Sequence, residues 1–187
     1  QYVRDVLPDC AIAMGGGYPN TELRELSDSR VFDFVDFICL DDGENPLSQI
    51  IRLMEGEITP EQLQRTFMLN SEGEVEYLDG CTHADVPHTE SGRPDYTGLD
   101  LDSYLNIIEV ANPMHRLWND GRWNKMTLAH GCYWKRCSFC DVTLDYIERY
   151  DEAPATLLAD RIEDLITQTG MSGFHFVDEA APPRLMQ

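Results

Sequence analysis

The chain has 187 residues, room for one ordinary domain or parts of two. Its 14 basic and 34 acidic side chains leave a formal charge of −20, which argues against a sequence-independent nucleic-acid binder, because such proteins neutralise phosphates with Lys and Arg. Hydrophobic residues at 42% supply a core and speak against disorder, and no apolar run approaches the ~20 residues of a membrane span.

The first segment alternates strand and helix patterns. Cys10–Met14 is a short apolar run ended by Gly15, Gly16 and Gly17, the pattern of a buried strand running into a tight loop. Leu23 and Leu26 then mark a helix over Thr21–Ser29. The aromatic and β-branched run that follows predicts a strand from Phe34 to Leu40, stopped by Asp41-Asp42-Gly43. Pro46–Glu55 reads as a helix with Leu47, Ile50, Ile51 and Met54 on one stripe. The order strand, glycine loop, helix, strand, loop, helix is that of a parallel, doubly wound α/β sheet. A short helix is expected over 60–66, and Phe67–Leu69 with Glu74–Leu78 forms a hairpin around Asn70–Gly73.

From Gly80 to Arg122 the chain reads as a linker with Pro87, Pro94 and Pro113, holding a short helix near Leu101–Val110. A βα rhythm then restarts. Trp123–Ala129 is a strand, Pro154–Thr169 is a helix with Leu157, Leu158, Ile162, Leu165 and Ile166 on its apolar stripe, and Gly170 ends it. Gly173–Val177 is the next strand. Neither segment holds enough strands for a finished α/β domain, so both ends are expected to continue in a longer parent.

The cysteines divide into two groups. Cys10 and Cys39 sit in apolar strands as core thiols, and Cys81 lies in the linker with His83 and His88. Cys132, Cys137 and Cys140 fall within nine residues as C-x4-C-x2-C. No basic leader followed by an apolar stretch opens the chain, so no secretory signal is expected, and a disulfide framework fits poorly. A reduced, cytoplasmic protein with one thiolate-rich loop is the expectation. Three thiolates from one loop can cap three irons of a cubane cluster and leave the fourth open to a small molecule. Zinc held by the three cysteines and His130 is the competing reading, and three buried core thiols the plainest one.

The loop resembles that of the radical S-adenosylmethionine (SAM) superfamily, whose common pattern is C-x3-C-x2-C with an aromatic before the third cysteine. Phe139 and the second spacing match, while the first spacing is one residue longer. The upstream glycine loop and the acidic Asp41–Glu44 loop resemble the cobalamin-binding domain that precedes the barrel in many members. The resemblance implies an α/β architecture in two parts. Residues 1–66 would be the C-terminal half of a Rossmann-like (flavodoxin-like) cobalamin-binding domain. Residues 67–122 would be hairpin and linker, and 123–187 the first βαβ unit of a partial (βα)6 barrel.

The resemblance also implies roles. Cys132, Cys137 and Cys140 would hold a [4Fe–4S] cluster, Phe139, Asp178 and Glu179 would contact SAM, and Gly15, Gly16 and Gly17 would lie against cobalamin. By themselves, the glycines also read as a tight βα turn, and Asp178-Glu179 as a solvated strand end. The implied reaction is reductive cleavage of SAM to a 5′-deoxyadenosyl radical, with cobalamin serving methyl transfer or rearrangement. The implied partners are a small-molecule or peptide substrate and an electron donor such as flavodoxin or ferredoxin, and these 187 residues alone are expected to be inactive. The alternative is a non-catalytic, zinc-stabilised binding module.

Overall fold

The computed structural model describes residues 2–81, 83–104, 123–178 and 180–185. They fall into two units, Gln1–Val86 and Pro87–Gln187.

The first unit is built on a four-stranded sheet in the order β1-β2-β3-β4, with β1 at Ala13–Met14, β2 at Phe37–Cys39, β3 at Thr66–Leu69 and β4 at Val75–Leu78. β1 and β2 are parallel, with Ala13 opposite Phe37 and Met14 opposite Ile38. A parallel pair needs a crossover. Here helix α2 (Gly17–Glu22) and a 3-10 turn (Ser29–Asp33) make it, after a short N-terminal helix α1 (Tyr2–Val6). β2 is apolar at every position because both its faces are covered. Phe37 and Cys39 pack with Ile50, Ile58 and Leu63, while Ile38 and Leu40 pack with Phe32 and Phe67. Helix α3 (Glu44–Met54) supplies Ile50 to the first of these clusters.

Several expectations shift. The helix expected over 21–29 begins at Gly17 and ends at Glu22, since Gly16 caps it and Pro19 sits in its first turn. Leu23 and Leu26 still pack on the Phe32–Ile38 cluster, but from a turn. Cys10 is exposed rather than a core thiol, because β1 holds only Ala13 and Met14. The hairpin expected beyond residue 66 belongs to this sheet. β3 pairs antiparallel with β2 through Ile38–Phe67 and Cys39–Thr66, and the unit runs on to Val86. The sheet is therefore mixed, one parallel pair extended by an antiparallel hairpin. Of the helix expected near 101–110, Leu101–Ser103 is a 3-10 turn and residues 105–110 lie outside the described set.

The second unit contains β5 (Asn124–Met126), β6 (Ala129–His130), α4 (Asp145–Glu148), β7 (Asp151–Glu152), α5 (Ala155–Thr169) and β8 (Phe174–Phe176). β5 and β8 are parallel, in the register Asn124–Phe174, Lys125–His175 and Met126–Phe176, and α5 is their crossover. Pro154 opens α5 in an extended conformation, and Gly170 closes it in the left-handed region at φ 69°. Met126, Leu128, Ala153, Leu158 and Leu165 form the core, with Phe174 packed against it. The strand expected over 123–129 is interrupted at Thr127-Leu128, where the chain leaves β5 and re-pairs as β6. No helix among the described residues is long and apolar enough to cross a membrane.

Candidate functional site

Cys132, Cys137 and Cys140 lie between β6 and β7, which pair antiparallel through Ala129–Glu152 and His130–Asp151 and so close the base of the loop. Two residue pairs hold little by themselves, and further ties reinforce them. The Asp178 carboxylate, at the end of β8, accepts the Leu128 N–H on both oxygens and the Ala129 N–H on one, all at 2.9 Å. Ala153 donates its N–H to the Leu128 carbonyl at 3.1 Å. The His130 Nε2 donates to the Tyr146 carbonyl at 3.1 Å, anchoring α4 to the start of the loop. The Tyr133 ring meets Tyr150 edge-on at 6.2 Å. Tyr150 donates to Glu152 at 3.0 Å; burial, then that carboxylate, pushes its pKa up to about 12, so it stays a donor.

The three cysteines line one cavity of about 720 Å³, together with Trp134, Phe139 and Tyr146 among others. All three are free thiols, Cys132 and Cys137 half-buried and Cys140 exposed. The Trp134 N–H points to the Cys132 sulfur at 3.4 Å, the kind of contact that tunes a metal-bound thiolate. Burial pushes the Cys137 thiol up, and the neighbouring Cys140 and Cys132 push it further. Thiolates gathered this closely repel one another unless a cation sits among them. Among the described residues no three His, Cys, Asp or Glu side chains are grouped so as to hold a metal ion. Tetrahedral zinc needs every donor about 2.0–2.3 Å from one centre, and His130 has its Nε2 turned to a backbone carbonyl. A cubane takes each thiolate on a different iron, and three soft donors around an open cavity fit that group.

The residues assigned to SAM are placed unequally. Phe139 lines the same cavity and is 86% exposed. Asp178 is committed to the backbone at the head of the cysteine loop, so it positions the loop. Glu179 lies outside the described residues, while Ala180, the next residue, lines the cavity.

In the first unit, Gly15, Gly16 and Gly17 follow β1. Gly16 sits at φ 94°, ψ −163°, a conformation open essentially to glycine alone. Beyond their chain neighbours, no atom of the described residues lies within 4 Å of where a Cβ would stand at Gly16 or Gly17, so there is open space at this strand end. Asn20, which sequence reasoning passed over, ties the loop to the next strand end: its Oδ1 accepts the Asp41 N–H at 2.6 Å. Arg24 pairs with Asp41, and buried Arg65 pairs with Asp85 and donates to the Asp42 carbonyl at 3.3 Å. The faint signal for these two is that residues 1–122 hold only eight basic side chains against 24 acidic ones. Cys81 contacts His83 Nδ1 at 2.8 Å within this unit and takes no part in the cysteine loop.

No family model and no curated protein matches this chain. Solved structures do. The cobalamin-dependent S-adenosylmethionine radical enzyme OxsB with aqua-cobalamin and S-adenosylmethionine bound is 18% identical at a TM-score of 0.59, over 98% of this chain and 24% of that one. OxsB with aqua-cobalamin alone is 16% identical at 0.60 over the same shares, and apo OxsB is 18% identical at 0.55 over 95% and 22%. The chain thus spans about a quarter of the length of the structures it matches. At these identities the likeness is one of fold, a mixed α/β chain with parallel strand pairs similar to a stretch of OxsB.

Proposed function

We propose that the protein is a radical SAM enzyme, with Cys132, Cys137 and Cys140 as the three protein ligands of a [4Fe–4S] cluster whose fourth iron is left for SAM. The observation that carries this reading is the convergence of three free thiols and the exposed Phe139 ring on one cavity, in a chain with the fold of a stretch of OxsB. When bound, the cluster supplies the electron for reductive cleavage of SAM to methionine and a 5′-deoxyadenosyl radical. The chain's own residues do the holding. Asp178 and the β6–β7 ladder fix the loop, the Trp134 N–H supports the Cys132 sulfur, and Phe139 offers a face for the adenine. Glu179 is the carboxylate proposed for the SAM ammonium. The electron comes from a donor such as flavodoxin or ferredoxin, and the substrate is a small molecule or peptide.

Anaerobic reconstitution with iron and sulfide is expected to load about four irons per chain. Phe139→Ala should keep that iron and weaken SAM binding about fivefold, the loss of one stacked base. Stoichiometric zinc with no capacity to form a cluster would replace this reading with the zinc module.

Cobalamin is the second proposed cofactor, lying against the Gly16–Gly17 backbone and serving methyl transfer or rearrangement. Gly16→Val is expected to cost about 1–3 kcal/mol in the first unit, because valine cannot adopt its dihedral angles. On protein that remains folded, it should lower cobalamin uptake and leave iron content unchanged. Equal cobalamin uptake in both proteins would place the cofactor elsewhere.

A further inference from the structure

Against a formal charge of −20, a second cavity in the Pro87–Gln187 unit has no carboxylate among the described residues that line it. It measures about 410 Å³, and Arg93, Lys125, Arg161 and His88 all line it. It shares no lining residue with the cysteine cavity.

Arg161 is the unusual member. It lies on the core-facing stripe of α5, between Leu158 and Leu165, and is only 7% exposed. Its Nη2 donates to the His88 carbonyl at 3.1 Å, and no carboxylate among the described residues pairs with it. A buried guanidinium without a counter-charge is costly. Lys125, exposed at the cavity, adds a second positive charge, with its Nζ 2.7 Å from the His175 imidazole. Arg93 is already paired with Asp164 at the cavity edge. The His88 Nε2 is buried without a hydrogen-bond partner among the described residues. Burial, then Arg161, pushes that imidazole's pKa down, which keeps it neutral. Its backbone N–H is separately tied to Asp151 at 2.7 Å. The rest of the lining includes Met126, Leu165, Val177 and Pro94, an apolar wall beside the cationic one.

We infer that this cavity binds a small molecule through a phosphate group, with Arg161 and Lys125 as its charge partners and His88 Nε2 as a further hydrogen-bonding position. A buried guanidinium with an exposed ammonium beside it matches a dianion better than a carboxylate. The volume lies within the ~300–1,000 Å³ of small-molecule sites, so an organic body can accompany the phosphate.

The test titrates inorganic phosphate into the full chain at constant ionic strength, by calorimetry and by the NMR signal of the His88 ring. Saturable binding at one site is expected, with acetate about tenfold weaker. Lys125→Gln should weaken phosphate about fivefold, Arg161→Lys should retain part of the affinity, and Arg161→Gln should lose it. Lys125 is exposed, so its variant keeps the fold and decides the matter even where Arg161→Gln unfolds the unit. No saturable binding, equal affinity in wild type and Lys125→Gln, or equal affinity for acetate would overturn the assignment. None of these readouts depends on iron, SAM or cobalamin.

Discussion

Alanine at Cys132, Cys137 or Cys140 is expected to abolish cluster loading, each single variant losing as much as the triple one. The effect is all-or-none because each thiolate would cap a different iron, so no remaining ligand can substitute for the one removed. The same substitutions should leave the metal-free protein within about 0.5 kcal/mol of wild type, since the three side chains are half-buried or exposed and none belongs to the Met126–Leu165 core. Cys10→Ala and Cys81→Ala are the controls. Both residues lie in the first unit, Cys10 exposed and Cys81 beside His83, and both variants should load iron normally. Iron and sulfide content, with the visible charge-transfer absorbance, reads the outcome. Full loading in any one of the three loop variants would show that the ligand set is wrong.

What was legible in the sequence was what is written locally. Pro154, the stripe through Leu158 and Leu165, and Gly170 announce α5 within its own residues, and the structure places the helix at Ala155–Thr169. The apolar run Phe37–Leu40 was legible because a strand covered on both faces must be apolar at successive positions, although the strand expected from Phe34 begins only after Asp36. The C-x4-C-x2-C spacing likewise points to its own loop. The ties that shape that loop are non-local. Asp178 reaches Leu128 across 50 residues, and nothing around Asp178 distinguishes it from the solvated end of a strand. The β6–β7 ladder is two residues long and carries no alternation to read. Arg161 is not legible from the sequence because leucines define its stripe, and a cation among them carries meaning only through its burial. That the hairpin joins the first sheet is not legible locally, because an antiparallel addition to a parallel pair is decided by the Ile38–Phe67 register, a contact made at a distance in sequence.

Gly131→Ala is expected to be the most damaging single-methyl change in the second unit. Gly131 sits at φ 72°, and a Cβ there would lie 2.0 Å from the Arg149 carbonyl oxygen and 3.1 Å from its carbon. Those atoms belong to the backbone just before β7, so relief of the clash must move the strand that closes the cysteine loop. Gly170 provides the matched control. It has nearly the same dihedral, φ 69°, but a Cβ there has nothing within 4 Å. Gly170→Ala should therefore show the left-handed backbone penalty alone, about 1–2 kcal/mol, with iron loading intact. Gly131→Ala carries that penalty plus the clash. It should lower stability further, open the loop to proteolysis between residues 131 and 150, and lose most of its iron on reconstitution. Thermal melts, limited proteolysis and iron content on the two variants side by side separate the terms. Equal stability and equal iron in both would mean that the contact with Arg149 does not hold the loop closed.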